Sequence, residues 1–460
     1  MRAKQLLLLL FSAILITPAV AQVPQNKKTP VRGKVVDQNR AAIPGADIWA
    51  SGTGLPSSSA VTDKNGEFSL MLEPGEYQVR VIAEGFSEVM EKVNPITRTE
   101  PLEFVLPVGP SNASVTITDT AAYGVNSIST ATKTLTPLRD IPQSISVVTK
   151  EQIRDQSLSS ISDVVAYVPG VNAHMGEGNR DQLVIRGNNT TADFFLNGVR
   201  DDVQYFRDLY NVERVEALKG PNSMTFGRGG GGGVINRVTK EAGFSSLREI
   251  TLQGGSFANK RVTGDFDQPL GNRFAFRVNG LYENSDNFRN GFNLERYGVN
   301  PTATLVVSPR TAVKLSYEYF HDGRVADRGS PSFQGRPVDV PIETFFGDPD
   351  NSLSRIGANL ASATVDHQAG RFNIRNRTMF GDYDRFYQNY VPGAVTANKQ
   401  LVSITAYNNA TKRRNVFNQT DVTFMASTGS IRHNFLAGAE VGRQLTDNFR
   451  RTGFFNNTTT

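Results

Sequence analysis

Residues 212–240 read VERVEALKGPNSMTFGRGGGGGVINRVTK, a charged strand, a turn and a glycine run in one compact unit. A charged strand pattern runs into Lys219-Gly220-Pro221, and five glycines, Gly229 to Gly233, lead into Val234-Ile235-Asn236. A phosphate-binding loop needs a Lys and a Ser or Thr directly after its glycines. Neither follows here, which sets nucleotide binding aside. The glycines instead permit positive φ and close backbone approach where a strand starts at 234–236.

Working outward, four more stretches stand upstream: TPLRDIPQSISVVTKEQI at 136–153, YVPGV at 167–171, VIRG at 184–187 and LNGVR at 196–200. In this order and spacing the five motifs resemble the plug of TonB-dependent outer-membrane receptors, in the wording of the ferric siderophore receptors. The plug then covers 136–241. Its local chemistry fits a mixed α/β domain. Thr149 and Gln152 have the spacing of a capping box, and Ile161, Val164, Val165 and Val168 share one helical face that Pro169-Gly170 ends. Phe194-Phe195-Leu196 leads into Asn197-Gly198, a tight-turn signal.

Upstream of the plug, residues 31–107 alternate short apolar strands with turn signals at Pro44-Gly45, Asn65-Gly66 and Pro74-Gly75. The spacing predicts a small β-sandwich. The unit resembles the carboxypeptidase regulatory-like domain, an accessory fold; no histidine lies within 31–107, which excludes a zinc peptidase. Residues 108–135 turn to Ser, Thr, Ala and Asn and read as a linker. Within it Ser114, Val115, Thr116, Ile117, Thr118 and Asp119 are able to form a strand. The resemblance makes this segment the TonB box, docking on TonB by strand addition. Without it the segment is an extended linker.

The chain opens with Arg2 and Lys4, an apolar run from Leu6 to Ile16, and Ala19-Val20-Ala21 before Gln22. This pattern predicts a signal peptide at 1–21 and export. Lys and Arg number 49 against 44 Asp and Glu; without the signal 47 face 44, a balance too even for nucleic-acid binding. The chain has no cysteine, hence no disulfide framework, and its four histidines have no metal-ligand spacing.

Beyond residue 245 the period becomes two: Phe274, Phe276 and Val278 alternate with Ala275, Arg277 and Asn279, and Val313, Leu315 and Tyr317 with Lys314, Ser316 and Glu318. A soluble sandwich alternates in the same way. Short turns near 271, 309, 370 and 429 alternate with long polar connections expected at 322–352 and 386–411, the asymmetry of an outer-membrane barrel in contact with lipid. The predicted architecture is multi-domain and mainly β: a small sandwich, an α/β plug, and at 246–460 part of an antiparallel transmembrane β-barrel of about nine strands. Barrels of about 8 strands hold only side chains, and a plug of about 13 Å radius of gyration requires about 22 strands. The chain is therefore expected to hold the N-terminal part of a larger barrel. Its last residues, Phe454 to Thr460, also lack the closing strand with a terminal aromatic residue that the resemblance implies.

The resemblance places ligand above the plug, and by position gives His174, Arg180, Asn188, Asn189, Arg200, Tyr205 and Phe206 as substrate-binding residues. Arg186 and Lys219 become a plug latch, paired with glutamates beyond residue 460. It implies import of a ferric siderophore across the outer membrane, without catalysis, cofactor or protein ligands to the iron, which arrives inside its chelate. Two alternatives stand beside it. One keeps the machinery and changes the cargo to a glycan, cobalamin or another chelate; the other is a surface binding or adhesion protein.

Overall fold

The computed structural model describes residues 28–106 and 123–453, apart from 39, 53–54, 84–85, 87–88, 99, 126, 135, 221–222, 228–229 and 430. The segment 114–119, the leader at 1–21 and the last residues, 454–460, lie outside them. Seven strands come first: β1 (Thr29–Asp37), β2 (Asp47–Gly52), β3 (Leu55–Val61), β4 (Glu67–Leu72), β5 (Tyr77–Ile82), β6 (Val89–Val93) and β7 (Leu102–Leu106). They form two sheets, ordered β4-β1-β7 and β3-β2-β5-β6. Period-two alternation makes the sandwich: along β4, Phe68, Leu70 and Leu72 are buried while Glu67, Ser69 and Met71 face out. The core joins them to Val35, Ile48, Val79 and Phe104.

The plug follows. Its elements are β8 (Ser127–Ile128), β9 (Thr136–Pro137), β10 (Ser144–Thr149), α1 (Lys150–Asp155), α2 (Ile161–Val165), β11 (Val171–His174), β12 (Gln182–Ile185), β13 (Asn188–Thr190), β14 (Phe194–Leu196), β15 (Val199–Arg200), β16 (Val212–Lys219), α3 (Ser223–Phe226) and β17 (Gly233–Thr239). The main sheet runs β10-β16-β17-β14-β15, and β11-β12-β13 stands apart. Thr149 caps α1 by accepting from the Gln152 amide; the reciprocal box belongs to α2, between Ser160 and Asp163. Asn197 and Gly198 take φ +51° and +81°, the turn their sequence predicts. A Cβ on Gly232 would overlap the Ile185 carbonyl, so the glycine run serves close approach to β12.

Nine antiparallel strands in chain order then form one sheet: β18 (Leu247–Gly255), β19 (Asn259–Pro269), β20 (Phe274–Ser285), β21 (Leu294–Ser308), β22 (Thr311–Val325), β25 (Leu353–Ala369), β26 (Phe372–Val395), β27 (Val402–Thr428) and β28 (Ile431–Gly453). A small hairpin, β23 (Ser332–Phe333) with β24 (Arg336–Pro337), interrupts the loop between β22 and β25. The burial pattern is inside out. Leu315 and Tyr317 are exposed while Lys314 and Glu318 are buried, as lipid outside and a polar interior require. No helix among the described residues is long and apolar enough to cross a membrane; the strands make the crossing.

Residues 386–411 are no loop: β26 and β27 stay paired from Phe372↔Phe424 up to Val395↔Val402, leaving only six residues to turn. Their polarity reflects a hairpin that leaves the apolar band with its backbone still satisfied by the ladder.

Candidate functional site: the plug seam and its mouth

Two buried charge clusters hold plug loop 201–210 against the wall. Asp201 accepts from Arg207 Nε at 3.0 Å, Arg237 Nη2 at 2.9 Å, the Tyr205 hydroxyl at 3.0 Å and, from β26, the Tyr383 hydroxyl at 3.2 Å. Burial pushes the Asp201 carboxyl up, but Arg207 and Arg237 outweigh it and hold it below the usual range. Arg207 also reaches Asp181 at 3.3 Å and lies 4.1 Å from the Phe194 ring centroid. In the second cluster Asp208 meets Arg261 at 2.7 Å and Arg296 at 2.9 Å, and both arginines hold Glu283, at 2.6 and 2.7 Å. Burial again opposes the Asp208 charge, and the two guanidiniums win, keeping its carboxyl well below the usual range.

Above the seam, the turn Gly176–Gly178 forms the plug apex, with Glu177 at φ +57°. Glu177 accepts from the Tyr407 hydroxyl at 2.7 Å and pairs with Arg328 and Arg180, both at 3.1 Å. Burial raises its carboxyl, yet hydrogen bonds from Arg180 and Tyr407 and both cations bring it down to about 2. Arg385 donates to Asn179 at 2.7 Å, and Arg413 meets Asp202 at 2.6 Å. Around the apex the wall presents aromatic rings under guanidiniums: Arg385 is 4.5 Å from the Tyr387 ring centroid and Arg450 is 4.2 Å from that of Tyr407. The two rings meet edge to face at 5.6 Å. The mouth thus gathers guanidiniums and aromatic faces in one place.

The residues expected from sequence are distributed differently. His174, Asn188 and Asn189 are exposed, with Asn189 accepting from Gln182 at 2.8 Å. Arg180 is engaged by Glu177, and Arg200 lies buried over Phe195, 5.4 Å from its ring centroid. Tyr205 and Phe206 separate: Tyr205 is buried at Asp201, while Phe206 stands beneath Arg324, 3.9 Å away. Arg186 is exposed at φ +48° between β12 and β13. Lys219 donates to Ser146 at 3.0 Å and to the Pro169 carbonyl at 3.2 Å. Neither pairs with a carboxylate among the described residues. Burial and the neighbouring Arg186 lower the Lys219 amine. Asp208, Arg261, Glu283 and Arg296 were not expected from the sequence. A signal existed for the wall residues, since each is a charge in the lumen-facing phase of a strand.

A mixed α/β domain seated against an antiparallel, outward-apolar wall defines a plugged outer-membrane barrel. The TonB-dependent receptor plug domain matches residues 137–234, and the carboxypeptidase regulatory-like domain matches 30–107. The probable TonB-dependent siderophore receptor PiuA of Acinetobacter baumannii is 29% identical over 330 residues, 68% of this chain and 44% of its own length. Its crystal structure superposes with a TM-score of 0.65 at 28% identity, covering 69% of this chain and 49% of that one. The catecholate siderophore receptor Fiu of Escherichia coli is 28% identical over 68% of this chain and 45% of its own. Its open-form crystal structure gives a TM-score of 0.62 at 26% identity, covering 68% of this chain and 51% of that chain. The metal-pseudopaline receptor CntO of Pseudomonas aeruginosa is 29% identical over 71% of this chain and 47% of its own. The chain thus carries the plug domain of the TonB-dependent receptors and is similar to siderophore receptors of the outer membrane, and it spans somewhat under half the length of these curated relatives.

Proposed function

We propose that the protein imports a ferric siderophore, bound in the mouth above the plug and released to the periplasm when TonB, docked at 114–119, rearranges the plug. The observation that carries this reading is the pairing of tyrosines with guanidiniums, Tyr387 with Arg385 and Tyr407 with Arg450, around the Glu177 apex. A ferric catecholate is anionic and presents aromatic faces, so it answers both features. Iron stays inside its chelate and needs no protein ligand.

The test is uptake of radio-iron by cells with and without the full-length receptor, across catecholate and hydroxamate chelates, a pseudopaline-type metallophore and a glycan. Catecholate uptake is expected, and to fall in Arg450→Ala. Equal iron uptake in both strains, with a deficit for the glycan alone, would overturn the iron reading.

A further inference from the structure

Sandwich loop 37–46 touches both bodies that must part when a plug moves. The loop is braced internally: Asp37 Oδ1 accepts from the Ala41 amide at 2.8 Å, and Arg40 sits at φ +64° with its amide on the Asp37 carbonyl. Asp37 Oδ2 accepts from Gln368 Nε2 at 2.6 Å, beside the turn between β25 and β26, and both side chains are buried. At the other end of the loop, the Gly45 carbonyl accepts from Ser127 Oγ at 2.8 Å. Ser127 begins β8, and its neighbour Ile128 is fully buried in the plug core with Phe195, Leu218 and Val234. One loop therefore ties the periplasmic rim of the wall to the first residues of the plug.

This junction is imperfectly sealed. A cavity of about 170 Å³ lies within it, lined by Ile43, Pro44, Lys133, Asp366 and Phe424 among others. Asp366 Oδ2 and Gln368 Oε1 are buried there without hydrogen-bond partners. Buried acceptors without partners and empty space both lower the cost of opening this interface.

We propose that the sandwich is a periplasmic clasp: loop 37–46 holds the plug entry to the wall at rest, and tension on the chain between Leu106 and Ser127 detaches it. The direction of release rests on the TonB reading above, because a pull at 114–119 acts on the sandwich and the plug at once. The resting clasp does not.

The test uses the full-length receptor with Asp37→Cys and Gln368→Cys, the only cysteines within these 460 residues. A short bis-maleimide joins the two thiols. Expected are efficient crosslinking in resting cells and uptake at least about tenfold below the uncrosslinked variant, the factor of ~1.4 kcal/mol. Thiols that label singly but do not crosslink, or crosslinked receptor that transports normally, overturn the clasp. A second variant covers misfolding and needs no cargo or TonB. Gln368→Glu sets a second carboxylate against Asp37 and should raise the reactivity towards maleimide of a Ser129→Cys thiol, at a position lining the same cavity, about tenfold in isolated outer membranes. Unchanged reactivity overturns the clasp even where import itself is established, and a rise supports it even where no chelate is taken up.

Discussion

At the Asp208 carboxylate, a plug group meets two wall guanidiniums that share Glu283 as their second anchor. Asp208→Asn keeps the shape but leaves Arg261 and Arg296 crowded about one carboxylate, and breaking such a buried set costs about 3–5 kcal/mol. In the full-length receptor the plug should then be cut by protease at lower doses than in the parent; an unchanged digestion pattern would show that the cluster does not seat the plug. Arg186 makes a useful contrast. It is exposed and without a carboxylate among the described residues, so the cost of a buried unpaired guanidinium does not apply to it as the chain stands. If partners beyond residue 460 complete a latch, Arg186→Ala in the full receptor should raise antibiotic leakage while barrel heat-modifiability stays the same. Permeability and plug protease resistance both at parent levels would mean that the latch is not there. Glu177 gives a pH dependence with a definite sign. Its carboxyl is held down to about 2 from an ordinary 4.5, so its stabilising ties to Arg180, Tyr407 and Arg328 are complete above about pH 4.5 and lost as pH falls through about 2. Amide protection factors at residues 175–180, corrected for the intrinsic pH dependence of exchange, should fall across that window, and equal protection factors at pH 2 and pH 6 would contradict it.

Among the elements, the wall strands were the most legible in sequence, because one phase meets lipid and the other a polar interior. Phe276, Leu315 and Tyr317 face out, and Arg277, Lys314 and Glu318 are buried, as their alternation predicts. The polar run 386–411 misled, since beyond the bilayer a paired strand no longer needs an apolar face. The plug's caps and turns were readable at close range: Thr149 on α1, Asn197-Gly198 between β14 and β15. The seam was not. Asp208 finds Arg261 across 53 residues, a pairing that only the assembled sheet creates. At 114–119 the proposed element is a strand completed by another protein, and proline removes a donor from such a ladder. Thr116→Pro or Ile117→Pro should abolish uptake while chelate binding at the cell surface persists; normal transport by both would move the docking segment elsewhere.

For the molecule as a whole, the nine-stranded sheet leaves β18 and β28 each with an unpaired edge among the described residues. Hydrocarbon cannot satisfy those amides and carbonyls, so residues 22–460 expressed alone should give no heat-modifiable, detergent-resistant barrel. Recovering such a folded species from this chain alone would falsify that view of the sheet. The hairpin of β26 and β27 carries a different consequence. The 24 residues of β26, at about 3.3 Å each and tilted about 45°, climb roughly 55 Å, against an apolar band about 25 Å tall. About half of the hairpin therefore stands clear of the bilayer as a hydrogen-bonded ribbon, with Thr396 to Leu401 at its tip. Antibodies raised against that hexapeptide should stain intact cells, making the tip an epitope by which the immune system or a diagnostic reagent can recognise the bacterium without reaching the pore.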